Sequence, residues 1–266
     1  MFSVIIPLYN KELSVKNTVQ SVLMQALKDF EIIIVNDGST DNSVEVVKWF
    51  SDPRIRLINQ DNQGVSAARN KGIEEANYEW IVFLDGDDIW HKNHLTILKD
   101  MIEQYPSDKV FCTSYIKSGE NISENLDTSI VVIENYFKEV MQHVDFFWTS
   151  VVCVHSSVFE KVGGFVVGIC RGEDLELWAR IGKYFRIIRS MQKTAVYRID
   201  SENKLTSTRS KYNNSILSII DLKGVKGYEK KYYQKMIYRR IKKDVKAFEI
   251  KDMLRLIWRY NFELLK

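Results

Sequence analysis

The chain has 266 residues, 45% hydrophobic and 27% charged, ordinary proportions for a globular protein long enough to bury a sizeable core. It contains no run of about eighteen apolar residues, so no membrane-crossing helix is expected. The net charge of +3 hides an asymmetry: from Asp221 to Lys266 there are 14 Lys and Arg against 6 Asp and Glu, and the remainder is mildly acidic. Cys112, Cys153 and Cys170 show neither a disulfide framework nor metal-ligand spacing, which points to a reducing compartment. Met1 to Pro7 lacks the basic start and long apolar stretch of a signal peptide, so a cytoplasmic location is expected.

Ser3 to Leu8 is an apolar run that reads as a buried strand, turning at Pro7-Leu8-Tyr9-Asn10. Leu13 to Ala26 places Val15, Val19, Val22 and Leu23 at helical spacing. A second strand, Phe30 to Val35, runs into Asn36-Asp37-Gly38-Ser39-Thr40-Asp41, and a helix follows through Val44, Val47 and Phe50. Arg54 to Ile58 is a third strand, Asn62-Gln63-Gly64 a turn, and Val65 to Ala76 a helix. Strand alternating with helix at this spacing predicts an α/β fold with a mostly parallel sheet and crossover helices.

The fourth strand, Glu79 to Leu84, ends in Asp85-Gly86-Asp87-Asp88. A buried strand delivering clustered carboxylates puts negative charge at the carboxyl edge of a sheet, where open α/β sheets bind ligands. Such carboxylates repel one another and favour a hard cation, Mg²⁺ or Mn²⁺, shared with a substrate's phosphates. Taken alone, a short acidic turn is more often simply solvated. Neither GxGxxG nor GxxxxGK[ST] follows the first strand, which disfavours dinucleotide and P-loop chemistry.

Four segments together resemble the family 2 glycosyltransferases: Val4 to Asn10, Val35 to Asp41, Asn62 to Asn70, and Phe83 to Asp88. The resemblance implies an inverting, metal-dependent enzyme with the GT-A fold, using a nucleotide-diphosphate sugar, with UDP the favoured nucleotide. It also implies residue roles. Pro7, Tyr9 and Asn10 would border the nucleotide, with Tyr9 stacked on the base. Asp37 would accept a hydrogen bond from the base, Arg69 would contact the nucleotide side, and Asp85 the ribose. Asp87 would ligate the metal, and Asp88 would support the metal or the acceptor.

After the aspartates, His91 to Tyr105 reads as a helix, Lys109 to Ile116 as a strand, and Ser118 to Thr128 as a polar loop holding the Asn121-Ile122-Ser123 sequon. Trp148 to His155 reads as a strand, and Gly172-Glu173-Asp174 opens a helix carrying Leu175, Trp178 and Ile181. Acids at a helix N-terminus are favoured by its dipole alone. Displacement at an anomeric carbon, however, needs a base for the acceptor's proton. The Gly-Glu-Asp followed by Leu-x-Leu-Trp again resembles the family, which makes Asp174 the catalytic base. Glu173 would then bind acceptor or sugar, and Trp178 would be core or a platform under the acceptor. Thr194 to Arg198 is a last strand. Family members often place a His two residues after this Arg. Here that position is Asp200, a substitute metal ligand at best, and Arg198 and Lys204 could face the donor's diphosphate or sugar.

From Ser210 the pattern is helical and basic. Tyr233, Ile237, Ile241, Val245 and Phe248 form one stripe, and Met253, Leu254, Ile257, Trp258, Phe262 and Leu265 continue it. This is either a subdomain packing on the body or an amphipathic anchor on an anionic membrane surface. A nucleic-acid role is disfavoured by the acidic body. The expected organisation is a catalytic domain over 1–210, divided into a nucleotide half (1–105) and an acceptor half (106–210), with a basic extension over 211–266. The expected acceptor is a hydroxyl of a glycan or lipid-linked saccharide. The rival readings are a degenerate sugar-nucleotide-binding scaffold and, less well supported, a sugar-nucleotide pyrophosphorylase.

Overall fold

The computed structural model describes residues 1–120, 127–143, 146–203 and 212–264. Lys204, the Asn121 sequon and Leu265 lie outside them, and the side chain of Phe262 is likewise not described. Among the described residues, nine strands form one sheet. Its first half follows the sequence pattern: β1 (Phe2–Leu8), α1 (Val15–Leu23), β2 (Phe30–Asp37), α2 (Ser43–Lys48), β3 (Ile55–Gln60), α3 (Val65–Glu74) and β4 (Trp80–Phe83). These four strands are parallel, in the order β3-β2-β1-β4. Both faces of β1 and β2 are covered, so Val4, Ile5, Ile6, Ile32, Ile33 and Ile34 are all buried, as expected of parallel strands with helices on each side. Gly72 of α3 lets the helix approach β1 closely, since a Cβ there would lie 2.4 Å from Ile5 Cγ2.

The second half is less regular. It runs β5 (Ile89–Trp90), α4 (His94–Gln104), β6 (Val110–Lys117), β7 (Ile130–Ile133), α5 (Tyr136–Gln142), a 3-10 turn at Thr149–Val151, β8 (Val152–His155), α6 (Ser157–Val162), α7 (Glu173–Gly182) and β9 (Ile187–Tyr197). Here the sheet is mixed: β8 is antiparallel to β4 and β6, while β9 runs parallel to β6 and antiparallel to β5 and β7. The last strand is much longer than the five residues its sequence suggests. Arg189 to Lys193 has little apolar character, and it is held in the strand by pairing with β6 and β7. The strand expected over Trp148 to His155 begins as a turn, because Trp148 and Ser150 are committed to the buried carboxylate of Asp88.

The basic extension folds as α8 (Gly227–Lys246) and α9 (Ile250–Leu264). One side packs on the body: Tyr232, Tyr233 and Ile237 are buried, with the two tyrosine rings against Phe137 of α5. Leu256 and Tyr260 of α9 are buried in the same core. The expected stripe does not stay buried along its length. Val245, Phe248, Leu254 and Trp258 are exposed, because α8 ends at Lys246 and Phe248 takes a left-handed turn (φ 57°). No described helix is long and apolar enough to cross a membrane.

Candidate active site

The carboxyl ends of β1, β2 and β4 open into one cleft of about 1040 Å³, which also receives the N-terminus of α7 and a face of α8. Pro7 and the half-exposed Tyr9 line it. Asn10 does not. Its backbone takes φ 51°, and its amide oxygen accepts from the Thr40 N–H at 2.8 Å, so it ties the β1 loop to the β2 loop. Asp37 ends β2 and lines the cleft while buried. It accepts from Gln60 Nε2, the Gln63 N–H and the Gly64 N–H, each at 2.8 Å. Three donors fix its carboxylate, and a fourth acceptor direction remains for a ligand.

The aspartate turn is pressed against β1. A Cβ on Gly86 would lie 3.1 Å from the Pro7 carbonyl oxygen, and Thr18 Oγ1 donates to the Gly86 carbonyl at 3.1 Å. Asp85 pairs with Arg69 at 2.7 Å, and Arg69 reaches Glu173 of α7 at 3.1 Å with its other terminal nitrogen. One buried guanidinium from α3 thus joins the aspartate turn to α7. Burial opposes the charge of Arg69, yet Asp85 and then Glu173 hold its pKa above the ordinary value. Asp85 is pushed upward by burial, with Arg69 opposing and Asp87 and Glu173 adding to the shift.

Asp87 pairs with Lys11 Nζ at 2.6 Å and accepts from Ser201 Oγ at 2.5 Å. Lys11 also donates to the carbonyl of Glu202 at 2.6 Å, and the Glu202 carboxylate accepts from the N–H groups of Leu13 and Ser14 at the start of α1. This arrangement straps 201–203 across the cleft. Sequence reasoning missed Lys11 and Ser201. A lysine two residues past the strand-end tyrosine was the one available signal. Asp88 is buried beneath the turn, accepting from Ser150 Oγ (2.6 Å), Trp148 Nε1 (3.1 Å) and the Arg198 N–H (3.1 Å). Burial first, then Asp85 and Asp87, push it up to about 7. It supports the turn from below.

Asp174 stands at the first turn of α7, half-buried and lining the cleft, its Oδ1 accepting from the Leu175 N–H at 2.8 Å. Burial, with the neighbouring charge of Glu173 adding and Arg69 opposing, pushes its carboxyl up to about 7. A carboxyl poised there can exchange a proton near neutrality.

The structure decides one open expectation and corrects two others. Trp178 is wholly buried among Phe83, Phe147 and Phe165, with ring centroids 5.1 to 6.2 Å away, so it offers no face to an acceptor. Asp200 is exposed, accepting from Ser118 Oγ at 3.1 Å, and is not grouped with the aspartates. Arg198 meets the site through its backbone, and its guanidinium sits 4.0 Å from Asp200 outside the cleft lining. The cause is common to the last two: beyond Tyr197 the chain turns outward before Ser201 returns to Asp87.

Four carboxylates, Asp85, Asp87, Glu173 and Asp174, lie around the paired cations Arg69 and Lys11, while Arg171 and the cations of α8 also line the cleft. Hard oxygen donors suit a divalent cation, and Asp87 and Asp85 are the side chains that could hold it. Among the described residues no three His, Cys, Asp or Glu side chains form a metal site by themselves. Further ligands would have to come from phosphate or water.

The sequence profile of glycosyl transferase family 2 matches residues 3–162, more than half of the chain. The chain belongs to that family. It is 36% identical over 148 residues to the uncharacterized glycosyltransferase EpsJ of Bacillus subtilis, covering 54% of this chain and 43% of EpsJ. It is 35% identical over 147 residues to the glycosyltransferase GlyA of Streptococcus pneumoniae, covering 54% and 21%. The chain therefore spans less than half the length of either relative. Staphylococcus aureus TarS 1–349, solved in complex with UDP-GlcNAc, matches with a TM-score of 0.69 at 16% identity, over 97% of this chain and 72% of TarS. That likeness establishes the family 2 GT-A fold for the chain.

Proposed function

We propose that the protein transfers a sugar, with inversion, from a nucleotide-diphosphate donor to a hydroxyl of a glycan or lipid-linked saccharide in surface-polysaccharide synthesis. One observation carries the reading: Asp37, Arg69, Asp85, Asp87 and Asp174, separated by up to 137 positions, line one cleft. UDP is the nucleotide we favour, since the fold match to TarS includes its complex with UDP-GlcNAc. Tyr9 would stack on the base, with Asp37 accepting from it and Asp85 holding the ribose. Asp174 takes the acceptor hydroxyl's proton as that oxygen bonds to the anomeric carbon. The bond from that carbon to the diphosphate oxygen breaks, and its electron pair leaves with the nucleoside diphosphate. Arg69 bridges Asp85 and Glu173 and holds them in register. Mg²⁺ or Mn²⁺ on Asp87 and Asp85 would offset the charge of the departing diphosphate. The exposed apolar and basic residues of α9 support a peripheral location at the inner face of a membrane, with Trp258 and Leu254 toward lipid.

A second reading is favoured by the Lys11–Asp87 pair at 2.6 Å, in which the ammonium holds the carboxylate that a metal would use. On that reading, nucleotide binding is independent of metal. Calorimetric titration of UDP, GDP and CDP, with Mg²⁺ or Mn²⁺ and with EDTA, separates the two. Metal-dependent binding of one nucleotide, lost in Asp87→Ala, supports the first reading. Undiminished binding in EDTA supports the second. Absence of binding by any nucleotide sinks the transferase reading itself.

A further inference from the structure

The cleft extends well past the carboxylates. Its far wall is α8, which presents Lys235, Arg239 and Lys243 at intervals of four residues, hence along one face. These three cations span about 12 Å of helix. Their neighbour Arg240 is already neutralised, pairing with Asp244 at 2.7 Å and Asp252 at 3.4 Å. Lys235 donates to the Met141 carbonyl at 3.1 Å. The side chains of Arg239 and Lys243 have no hydrogen bond or ion pair among the described residues, although both line the cleft. Two unneutralised cations, set one turn apart on a cavity wall, are placed to take an anion.

Their position says which substrate carries it. Tyr232, seven residues before Arg239, is buried on the same wall. Burial chiefly raises its phenol pKa, with Asp174 raising it further and Arg239 lowering it, so both charges act on one ring. Helical side chains lean toward the N-terminus, which carries the Arg239 guanidinium toward Tyr232 and Asp174. The ledge and the proposed base thus line one cleft, with the Tyr232 ring near both. On the proposed reading the donor's diphosphate would instead be met at the aspartate turn, where Lys11 lies and Asp87 and Asp85 would hold a metal. An arginine fork with a lysine one turn away suits phosphate oxygens better than a single carboxylate.

We propose that this ledge binds a phosphate group on the acceptor, one or two sugar units from the hydroxyl that is glycosylated. The substrate class is then a phosphate-bearing saccharide, the phosphate belonging either to a lipid diphosphate or to a soluble or polymeric sugar phosphate. This rests on the transferase reading above.

The test is calorimetry on the full chain saturated with UDP and Mg²⁺, titrated with glucose 1-phosphate, geranyl diphosphate, glucose and glucuronate. At least one phosphate probe should bind, and glucose and glucuronate should bind at least tenfold more weakly. Arg239→Gln and Lys243→Gln should each weaken the phosphate probe by about tenfold while leaving UDP affinity unchanged, which also shows that the variants fold. Binding of geranyl diphosphate alone assigns the phosphate to a lipid, and binding of glucose 1-phosphate assigns it to a sugar phosphate. Equal binding of glucuronate, binding indifferent to both variants, or no binding of either phosphate overturns the proposal. If UDP does not bind the parent protein, the transferase reading fails, and the same probe titrations without nucleotide still decide the ledge.

Discussion

The two sides of the cleft are built in different ways. Along the edge formed by β1, β2 and β4, the candidate residues Tyr9, Asp37 and Asp85 sit at the end of a parallel strand or in the loop just after it. The strand is buried on both faces, and its last residue has one direction left in which to point. Across the cleft, residues come from helix faces and a helix start: Asp174 on α7, and Arg239 and Lys243 on α8. A helix has several faces, and only its neighbours decide which one meets the cleft. Function on the first side is written in short contiguous motifs. On the second it is written in packing.

The largest effect should come where the two sides meet. Arg69→Ala removes the one cation between Asp85 and Glu173 and leaves both carboxylates unpaired and largely buried. Breaking a buried pair from one side costs about 3–5 kcal/mol, so the urea midpoint should fall steeply, and Arg69→Lys should restore part of it. A stability loss under about 1 kcal/mol would show that the two sides are not coupled through this residue.

Asp174→Asn should lower kcat by about 10²–10⁴-fold, the usual worth of a general base, with little change in UDP affinity. Equal losses in binding and turnover would move Asp174 from base to scaffold. In the parent enzyme, only the ionised carboxylate can accept the acceptor's proton. With its pKa pushed up to about 7 in the free protein, kcat/KM should rise with pH through that value and level off above it. A profile flat from about pH 6 to 8 would remove the base assignment.

Smaller effects compare the packing of the halves. Gly72→Ala would drive a Cβ into Ile5, and Gly182→Ala would put one 2.4 Å from Tyr136 Cβ. Each should cost about 1–3 kcal/mol through overpacking, read from thermal or urea unfolding. A cost at Gly72 alone would mark the second half as the more adaptable. The smallest change should be Trp258→Glu. The ring is 86% exposed, so stability should stay within about 0.5 kcal/mol, while any affinity for anionic vesicles should drop.

Much of the first half was legible without coordinates. The apolar runs at Ser3–Leu8 and Phe30–Val35 fall inside the observed strands, and four ordered motifs carried the family. The acceptor half was harder to read. Arg189 to Lys193 looks like a surface loop by composition, yet pairing on both edges makes it strand. Trp178 could have been core or platform by spacing alone, and the aromatic ring partners decided for core. Asp200 occupies the position where family members often have a histidine, but the chain beyond Tyr197 carries it away from the aspartates. Lys11 went unnoticed because its place two residues past Tyr9 was the one local sign of it. Its partners, Asp87 and the carbonyl of Glu202, lie 76 and 191 residues away.

By itself the sequence determined the alternation of strand and helix, the loops that follow β1, β2 and β4, and the family. Hydrophobic period and strand-end chemistry are local properties, and a short window contains them. Tertiary structure alone decided that Arg69 joins Asp85 to Glu173 and that Asp174 is held near neutrality by burial. It also decided that α8 turns Arg239 and Lys243 into the cleft while Trp258 faces outward. Each of these depends on which surfaces meet across the fold, and desolvation and charge pairing act between elements far apart in the chain.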